Sequence, residues 1–299
     1  MAIRAFHRAL FALIAALILG AAVCRGENRI TILTDAFGRK PELQLDWGYS
    51  ALIEYNGKRI LFDTGDNAAL LQANVKRMQV DLSHLDMVVI SHSHGDHTSG
   101  LRYVLGLNPD VALYVPDDVM FRGHEVPQQF LATHPEPALE KDHRYFNGNP
   151  PAHIPDWKGY SDTKMTVVKE TMTVMPGVRL VTLVSEKPAF KGLVEVSMVL
   201  DTPKGPVVIA GCSHPGIENI MAAVTAGAVK PDVYMLFGGL HLVQDSDEQI
   251  NGTLDVLEKT NKVQRIAVGH CTGERAFYLI QQRWGKNDVY AGLGETVVF

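Results

Sequence analysis

The heptapeptide Ser91-His92-Ser93-His94-Gly95-Asp96-His97 follows directly on the apolar run Met87 to Ile90, which predicts a short buried strand. His92 and His94 are two residues apart, so in an extended segment both side chains project the same way. Asp96 and His97 come from the turn that follows. Imidazole and carboxylate ligands suit zinc, iron or manganese. One tight loop can therefore offer ligands to two metal ions.

Three further histidines each follow a predicted apolar strand and have a glycine close by. They are His214 in Gly211-Cys212-Ser213-His214, His241 in Gly238-Gly239-Leu240-His241, and His270 in Gly269-His270-Cys271-Thr272-Gly273. A lone histidine after a strand is more often a packed or capping residue, but three of them beside the cluster favour one shared site. Asp63 ends another predicted strand, and it is either an acceptor for a ligand histidine or an ordinary turn or capping aspartate.

The composition is that of a globular protein. The chain has 299 residues, of which 46% are hydrophobic and 20% are charged, and this excludes a disordered chain, a collagen-like repeat and a polytopic membrane protein. The formal net charge is −5, and no long basic run is present, so no nucleic-acid partner is expected. A small-molecule substrate is expected instead. The sequence does not indicate an oligomeric state.

Residues 1–26 have the pattern of a cleavable signal peptide. Arg4 and Arg8 precede the uninterrupted apolar run Ala9 to Val23, which is followed by small residues and a charged stretch from Arg25. The run is shorter than the roughly 20 residues that a membrane-spanning helix needs. We expect a periplasmic or secreted protein with no stable membrane span after cleavage. An uncleaved anchor and a lipoprotein carrying lipid on Cys24 are the alternatives.

The remainder, 27–299, is predicted to form one domain of mixed strands and helices, with an insertion at about 120–160. An Asn56-Gly57 turn indicates a hairpin near the start. The second half alternates strand and helix, as in sheets covered by helices. Strands are predicted at 30–34, 50–55, 59–62, 87–90, 111–115, 179–184, 194–200, 206–210, 233–237 and 263–268, and helices at 67–80, 217–226, 247–259 and 274–283.

The strand end at Asp63, the histidine cluster and the later histidines together resemble the metallo-β-lactamase superfamily. That resemblance implies an α/β fold, the four-layer αββα sandwich with mixed sheets, and a site for one or two metal ions at the sheet edge. A narrower resemblance, to the branch with the archaeal dihydropterin–ribofuranosylaminobenzene-phosphate synthase and related metal-dependent hydrolases, rests on four motifs. They are Trp47-Gly48-Tyr49-Ser50, Gly211-Cys212-Ser213-His214-Pro215-Gly216, Gly238-Gly239-Leu240-His241-Leu242 and His270-Cys271-Thr272-Gly273.

The resemblance implies a role for each cluster residue. His92 and His94 would hold a first metal ion, with His214 as the third ligand and His153 or Glu186 as the alternatives. Asp96, His97 and His270 would hold a second ion. Zinc is the favoured metal, with iron or manganese as alternatives.

The superfamily's bridging aspartate is replaced here by Cys212. This cysteine is either a thiolate ligand or the partner of Cys271 in a disulfide. The substitution leaves the number of ions, one or two, open.

These assignments predict a secreted metal-dependent hydrolase in which a metal-bound hydroxide attacks an ester, lactone or phosphoester. Asp96 would orient the hydroxide or accept its proton, and His241 would act as a general acid or transition-state donor, with metal ligation as its rival role. The alternatives are a transferase resembling the synthase and a protein that uses its metal site only for binding.

Overall fold

The computed structural model describes residues 27–122, 159–160, 162–227 and 232–299. The predicted signal peptide, His153 and nearly all of the predicted insertion lie outside these residues. Within the described part of the chain, no helix is both long and apolar enough to cross a membrane.

The first sheet has seven strands in the order β13-β1-β2-β3-β4-β5-β6. Strands β1 to β3 and β13 pair antiparallel, whereas β3 to β6 run parallel. The strands β6 and β13 were not among those predicted. The bounds are β1 Arg29–Thr34, β2 Ser50–Tyr55, β3 Lys58–Phe62, β4 Met87–Val89, β5 Ala112–Pro116, β6 Met165–Val168 and β13 Thr296–Val298.

The second sheet has six strands in the order β12-β11-β10-β9-β8-β7. Here β10, β11 and β12 run parallel and β7 to β10 antiparallel, so both sheets are mixed as expected. The short strand β7 is the third that was not predicted. The bounds are β7 Met172–Met175, β8 Val178–Val184, β9 Val194–Leu200, β10 Val207–Ala210, β11 Met235–Gly238 and β12 Arg265–Val268.

Seven α-helices occur in the described residues, and the four predicted helices are among them. The predicted helix 247–259 is α-helical only to Asp255 and continues as a π-helix from Val256 to Thr260. The bounds are α1 Ala68–Arg77, α2 Gly95–Thr98, α3 Leu101–Leu107, α4 Val119–Arg122, α5 Ile217–Thr225, α6 Asp247–Asp255 and α7 Glu274–Trp284.

Three hydrophobic clusters define four layers. The central cluster joins inward-facing residues of both sheets, such as Ile53 and Phe62 of the first and Met198 and Ile209 of the second. The next residues along the same strands point outwards. A second cluster packs those of the first sheet against helices α1 and α3, and a third packs those of the second sheet against α5, α6 and α7. The period-2 alternation of buried side chains thus produces the predicted αββα sandwich.

The direction of the strands explains where the site forms. Strands β3 and β4 of the first sheet run parallel, and so do β10, β11 and β12 of the second. The loops that leave their carboxyl ends carry Asp63, the heptapeptide and the three later histidines. Ligands bind at such strand ends in open α/β sheets.

Gly238, the last residue of β11, is packed too tightly to carry a side chain. Its φ is 97°, and an added Cβ would lie 1.8 Å from the carbonyl oxygen of Ala210 on the neighbouring strand. We expect Gly238→Ala to lower the free energy of unfolding by about 3 kcal/mol, because backbone strain and a backbone clash add. Urea denaturation measures this change.

The matched control is Gly252→Ala in helix α6, where an added Cβ meets nothing within 4 Å. That substitution is expected to be neutral or to stabilise by roughly 0.5–1 kcal/mol, since alanine favours helix. Equal urea midpoints for Gly238→Ala and the unsubstituted protein would show that β11 does not pack this closely against β10.

Candidate metal centre

The structure brings the predicted ligands together in two adjacent groups. The first contains His92, His94 and His214, and the second contains Asp96, His97, Cys212 and His270. Within each group the candidate ligand atoms all lie within 4.8 Å of one another. The groups adjoin, since the rings of His92 and His97 have centroids 4.1 Å apart.

Asp63 positions one histidine of each group. Its buried carboxylate accepts hydrogen bonds from Nδ1 of His97 at 2.7 Å and from Oγ of Ser91 at 2.6 Å. The Ser91 hydroxyl proton is used in this bond, so its oxygen accepts from Nδ1 of His92 at 2.9 Å. Both rings therefore direct Nε2 into the site. Of the two readings of Asp63, the geometry favours the acceptor for a ligand histidine.

Glu195 of strand β9 orients the ring of His214, as Asp63 orients that of His97, by accepting a hydrogen bond from Nδ1. Its buried carboxylate accepts from the backbone amides of Cys212, Ser213 and His214 and from Nδ1 of His214, at 2.7–3.0 Å. Burial alone would raise the pKa of Glu195, but the hydrogen bond from His214 lowers it below its usual range. Glu195 was not among the predicted site residues, although a single acid within the apolar run Val194 to Leu200 indicates a polar partner.

His270 is positioned through its backbone. Both carboxylate oxygens of the buried Asp35 lie 3.2 Å from the amide nitrogen of His270. Its Nε2 faces Nε2 of His97 at 3.1 Å and a carboxylate oxygen of Asp96 at 3.4 Å. Burial opposes protonation of this ring, but the Asp96 hydrogen bond and neighbouring charges raise its pKa to about 9. Asp35 was not among the predicted site residues either.

The two cysteines among the described residues, Cys212 and Cys271, are free, buried thiols and not a disulfide. Cys212 Sγ lies 3.2 Å from Nε2 of His97, inside the second group, whereas Cys271 Sγ lies 3.7 Å from the carbonyl oxygen of Cys212. Burial raises the pKa of the Cys212 thiol. Of the two roles expected for Cys212, its place favours a metal ligand.

The donor atoms fit divalent metal ions. Burial lowers the pKa of His92 and His97 well below the usual histidine value, so both rings are neutral, as metal ligands must be. His270, whose pKa is about 9, would release its proton on binding an ion. Nε2 of His92 is buried with no hydrogen-bond partner among the described residues. A buried ring nitrogen left without a partner is costly unless it binds something. Imidazole, carboxylate and thiolate together are ligands that zinc accepts.

Strained backbone accompanies these side chains. Four non-glycine residues at the ends of strands β3, β10, β11 and β12 have φ between 50° and 65°: Asp63, Ser213, His241 and His270. Such conformations cost on the order of 1–3 kcal/mol each and concentrate at functional sites. The strain here marks the same strand ends as the candidate ligands.

His241 lies beside the first group but outside both ligand sets. Its ring centroid is 4.8 Å from that of His214 and 4.8 Å from that of Phe190. Phe190, on the turn between β8 and β9, also packs on His214 at 4.3 Å. Burial lowers the pKa of His241, so the ring is neutral near neutral pH. His241 thus lies next to the ligand histidines but belongs to neither group.

His214 was predicted as the third ligand of the first group, with His153 and Glu186 as alternatives. His214 lies in the group. Glu186 is exposed on the turn after β8 and belongs to neither group, and His153 is not among the described residues. The geometry therefore favours His214.

Comparisons with known proteins agree with this fold. The family model "Metallo-beta-lactamase superfamily" matches residues 22–189, which include the heptapeptide but not the later histidines. A curated relative, the 7,8-dihydropterin-6-methyl-4-(β-D-ribofuranosyl)-aminobenzene-5′-phosphate synthase of Methanocaldococcus jannaschii, is 26% identical over 90% of this chain and 95% of its own length. An uncharacterized protein of the same organism is 30% identical over 84% of this chain and 92% of its own length.

Solved structures show the same fold. A metal-dependent hydrolase of the β-lactamase superfamily superimposes with a TM-score of 0.66 at 22% identity, covering 91% of this chain and 99% of its own. The short form of human tRNase Z gives a TM-score of 0.52 at 14% identity, covering 90% and 98%. With the family model matching more than half of its length, the chain belongs to the metallo-β-lactamase superfamily, as its heptapeptide and later histidines predicted.

Proposed function

We propose that the chain is a secreted or periplasmic hydrolase that uses two divalent ions, zinc by preference, to cleave an ester, a lactone or a phosphoester. The main support is the pair of adjoining ligand groups at the ends of parallel strands. In these groups His92 and His97 are neutral, and each ring is held by a hydrogen bond at Nδ1. Export rests on the predicted signal peptide at residues 1–26.

The metal ions and the protein have separate tasks in this proposal. Bound divalent ions would lower the pKa of a water molecule from about 15.7 to roughly 7 and polarise the oxygen of the bond to be cleaved. His92, His94 and His214 would hold the first ion, and Asp96, His97, Cys212 and His270 the second.

Asp96 and His241 are partly exposed, so each can hydrogen bond to water or substrate at the site. Burial would raise the pKa of Asp96, but the hydrogen bond and the charge of His270 lower it below its usual range, so the carboxylate is ionised. Because a lowered pKa makes a weak base, Asp96 is better suited to orient water than to accept its proton. His241 is only partly buried, and the N–H group of its neutral ring can donate a hydrogen bond to negative charge that develops on the substrate.

We expect His241→Ala to lower turnover about 100-fold and to leave the metal content unchanged, because the ring donates to the substrate and is no ligand. Turnover and elemental analysis of the same preparation measure the two effects. The exposed His84, whose ring hydrogen bonds to Asp81, supplies the control His84→Ala. Loss of metal from His241→Ala, but not from His84→Ala, would make His241 a ligand instead.

A transferase is the second candidate, favoured by the similarity to the synthase along 90% of this chain. One panel separates the candidates. Hydrolysis of any ester, lactone or phosphoester by the zinc-loaded protein, abolished by a chelator and restored by zinc, supports the hydrolase. Inactivity on all of them, with formation of the synthase's product, supports the transferase. Binding of these compounds with no turnover of either kind supports a non-catalytic metal site.

A further inference from the structure

Trp47 is an exposed tryptophan beside the candidate metal centre. The residue is 50% exposed, and the centroid of its ring is 5.5 Å from that of His270 in the second ligand group. The other described tryptophan, Trp284, is buried and donates its ring N–H to a carbonyl oxygen. A large apolar ring left half in water at the edge of a polar site is typical of a ligand-contacting residue.

The backbone on both sides of Trp47 is fixed to the site. The amide of Asp46 donates to the carbonyl oxygen of Asp35 at 3.1 Å, and the amide of Tyr49 donates to that of Asp96 at 3.1 Å. Gly48 packs so closely that an added Cβ would lie 2.0 Å from the amide nitrogen of Asp66. The exposed ring therefore sits on a rigid support, which lowers the entropic cost of binding against it.

The opposite end of the site has a different apolar wall. Phe190 packs against His94, His214 and His241, with ring centroids 6.1, 4.3 and 4.8 Å away. It is partly buried by these contacts, whereas half of the Trp47 surface remains in solvent. Trp47 thus offers the larger free stacking surface, next to the second ligand group.

We infer that Trp47 determines specificity by stacking on a planar ring of the substrate, placed next to the bond that the metal centre cleaves. The substrate class is then an aryl or heteroaryl ester or phosphoester rather than an alkyl one. The cleavage step in this inference rests on the proposed function, whereas the stacking of a ring on Trp47 does not depend on it. Offset stacking on tryptophan favours a phenyl over a methyl group both by buried area and by ring–ring attraction.

The test compares two phosphonates that cannot be hydrolysed, phenylphosphonate and methylphosphonate, by calorimetric titration of the zinc-loaded protein. The expected result is that the phenyl compound binds about tenfold more tightly, and that Trp47→Ala removes this preference while leaving the methyl compound unchanged. Trp47→Phe should keep most of the preference. Phe190→Ala and Tyr278→Ala, the second an exposed aromatic on helix α7, should keep it as well.

Three results would overturn the inference: no preference for phenyl, a preference that survives Trp47→Ala, or binding of neither phosphonate. Because the readout is binding, its outcome is independent of turnover. A protein that hydrolyses its substrates yet shows no phenyl preference contradicts the role of Trp47 alone. A protein that shows the preference but hydrolyses nothing contradicts the proposed hydrolase alone.

Discussion

Replacing His92 by alanine is expected to remove one of two bound divalent ions and to lower turnover more than 100-fold. His92 is buried, its Nδ1 is held by Ser91 Oγ, and its Nε2 has no other partner among the described residues. Loss of a partner that only orients a ligand typically weakens metal binding 10–100-fold, and loss of the ligand itself should cost more. Elemental analysis of the variant and its turnover measure both effects.

His84→Ala is the matched control for this variant, because it removes an exposed imidazole on the loop before β4. It should keep two ions and full turnover. Two ions retained by His92→Ala would mean that the first group does not depend on His92. Loss of both ions would mean that the two groups form one inseparable site.

Glu195→Gln is expected to destabilise the metal-free protein by about 2–4 kcal/mol and to weaken binding of the first ion 10–100-fold. Each carboxylate oxygen of Glu195 accepts two hydrogen bonds, one pair from the amides of Cys212 and Ser213 and the other from the amide and Nδ1 of His214. A glutamine must turn its NH2 towards one of these pairs of donors. Two buried donors then lose their acceptor.

Urea unfolding of the metal-free variant measures the first effect, and competition with a zinc chelator measures the second. The control Glu186→Gln changes an exposed glutamate that was itself a candidate ligand. It should alter neither quantity. Wild-type stability in Glu195→Gln would show that the loop 211–214 does not depend on this carboxylate, and weaker zinc binding in Glu186→Gln would return Glu186 to the ligand set.

Most of the fold was predictable because the strands alternate with period 2 and end in glycine-rich or histidine-rich loops. The sequence was enough to place four candidate ligands at one edge of the sheets, since parallel strands have their carboxyl ends together. These are His92, His94, His214 and His270. The distribution of these residues between two groups required the family resemblance, because spacing fixes no distance between loops that are far apart along the chain. Strands such as β6, Met165–Val168, escaped prediction because they are short and sit at sheet edges.

The residues that hold the ligands were the hardest to predict. Glu195 lies inside an apolar strand and Asp35 just after one, and neither belongs to a recognisable motif. Their roles depend on hydrogen bonds to Cys212, Ser213, His214 and His270, which are near in space but distant in sequence. A buried charge must find partners, so a lone acid in an apolar run is a signal that something polar packs against it.

Elemental analysis of purified protein that begins at residue 27, loaded with zinc and dialysed, tests the central claim most directly. Two adjoining ligand groups, in which His92 and His97 are neutral and oriented, predict two ions per chain, one of them lost in His92→Ala. Two ions would support joint use of both groups in hydrolysis and make the ester and phosphoester panel the next step. A single ion or none in the unsubstituted protein would contradict the two-ion centre and shift weight to the transferase and to a non-catalytic binding site.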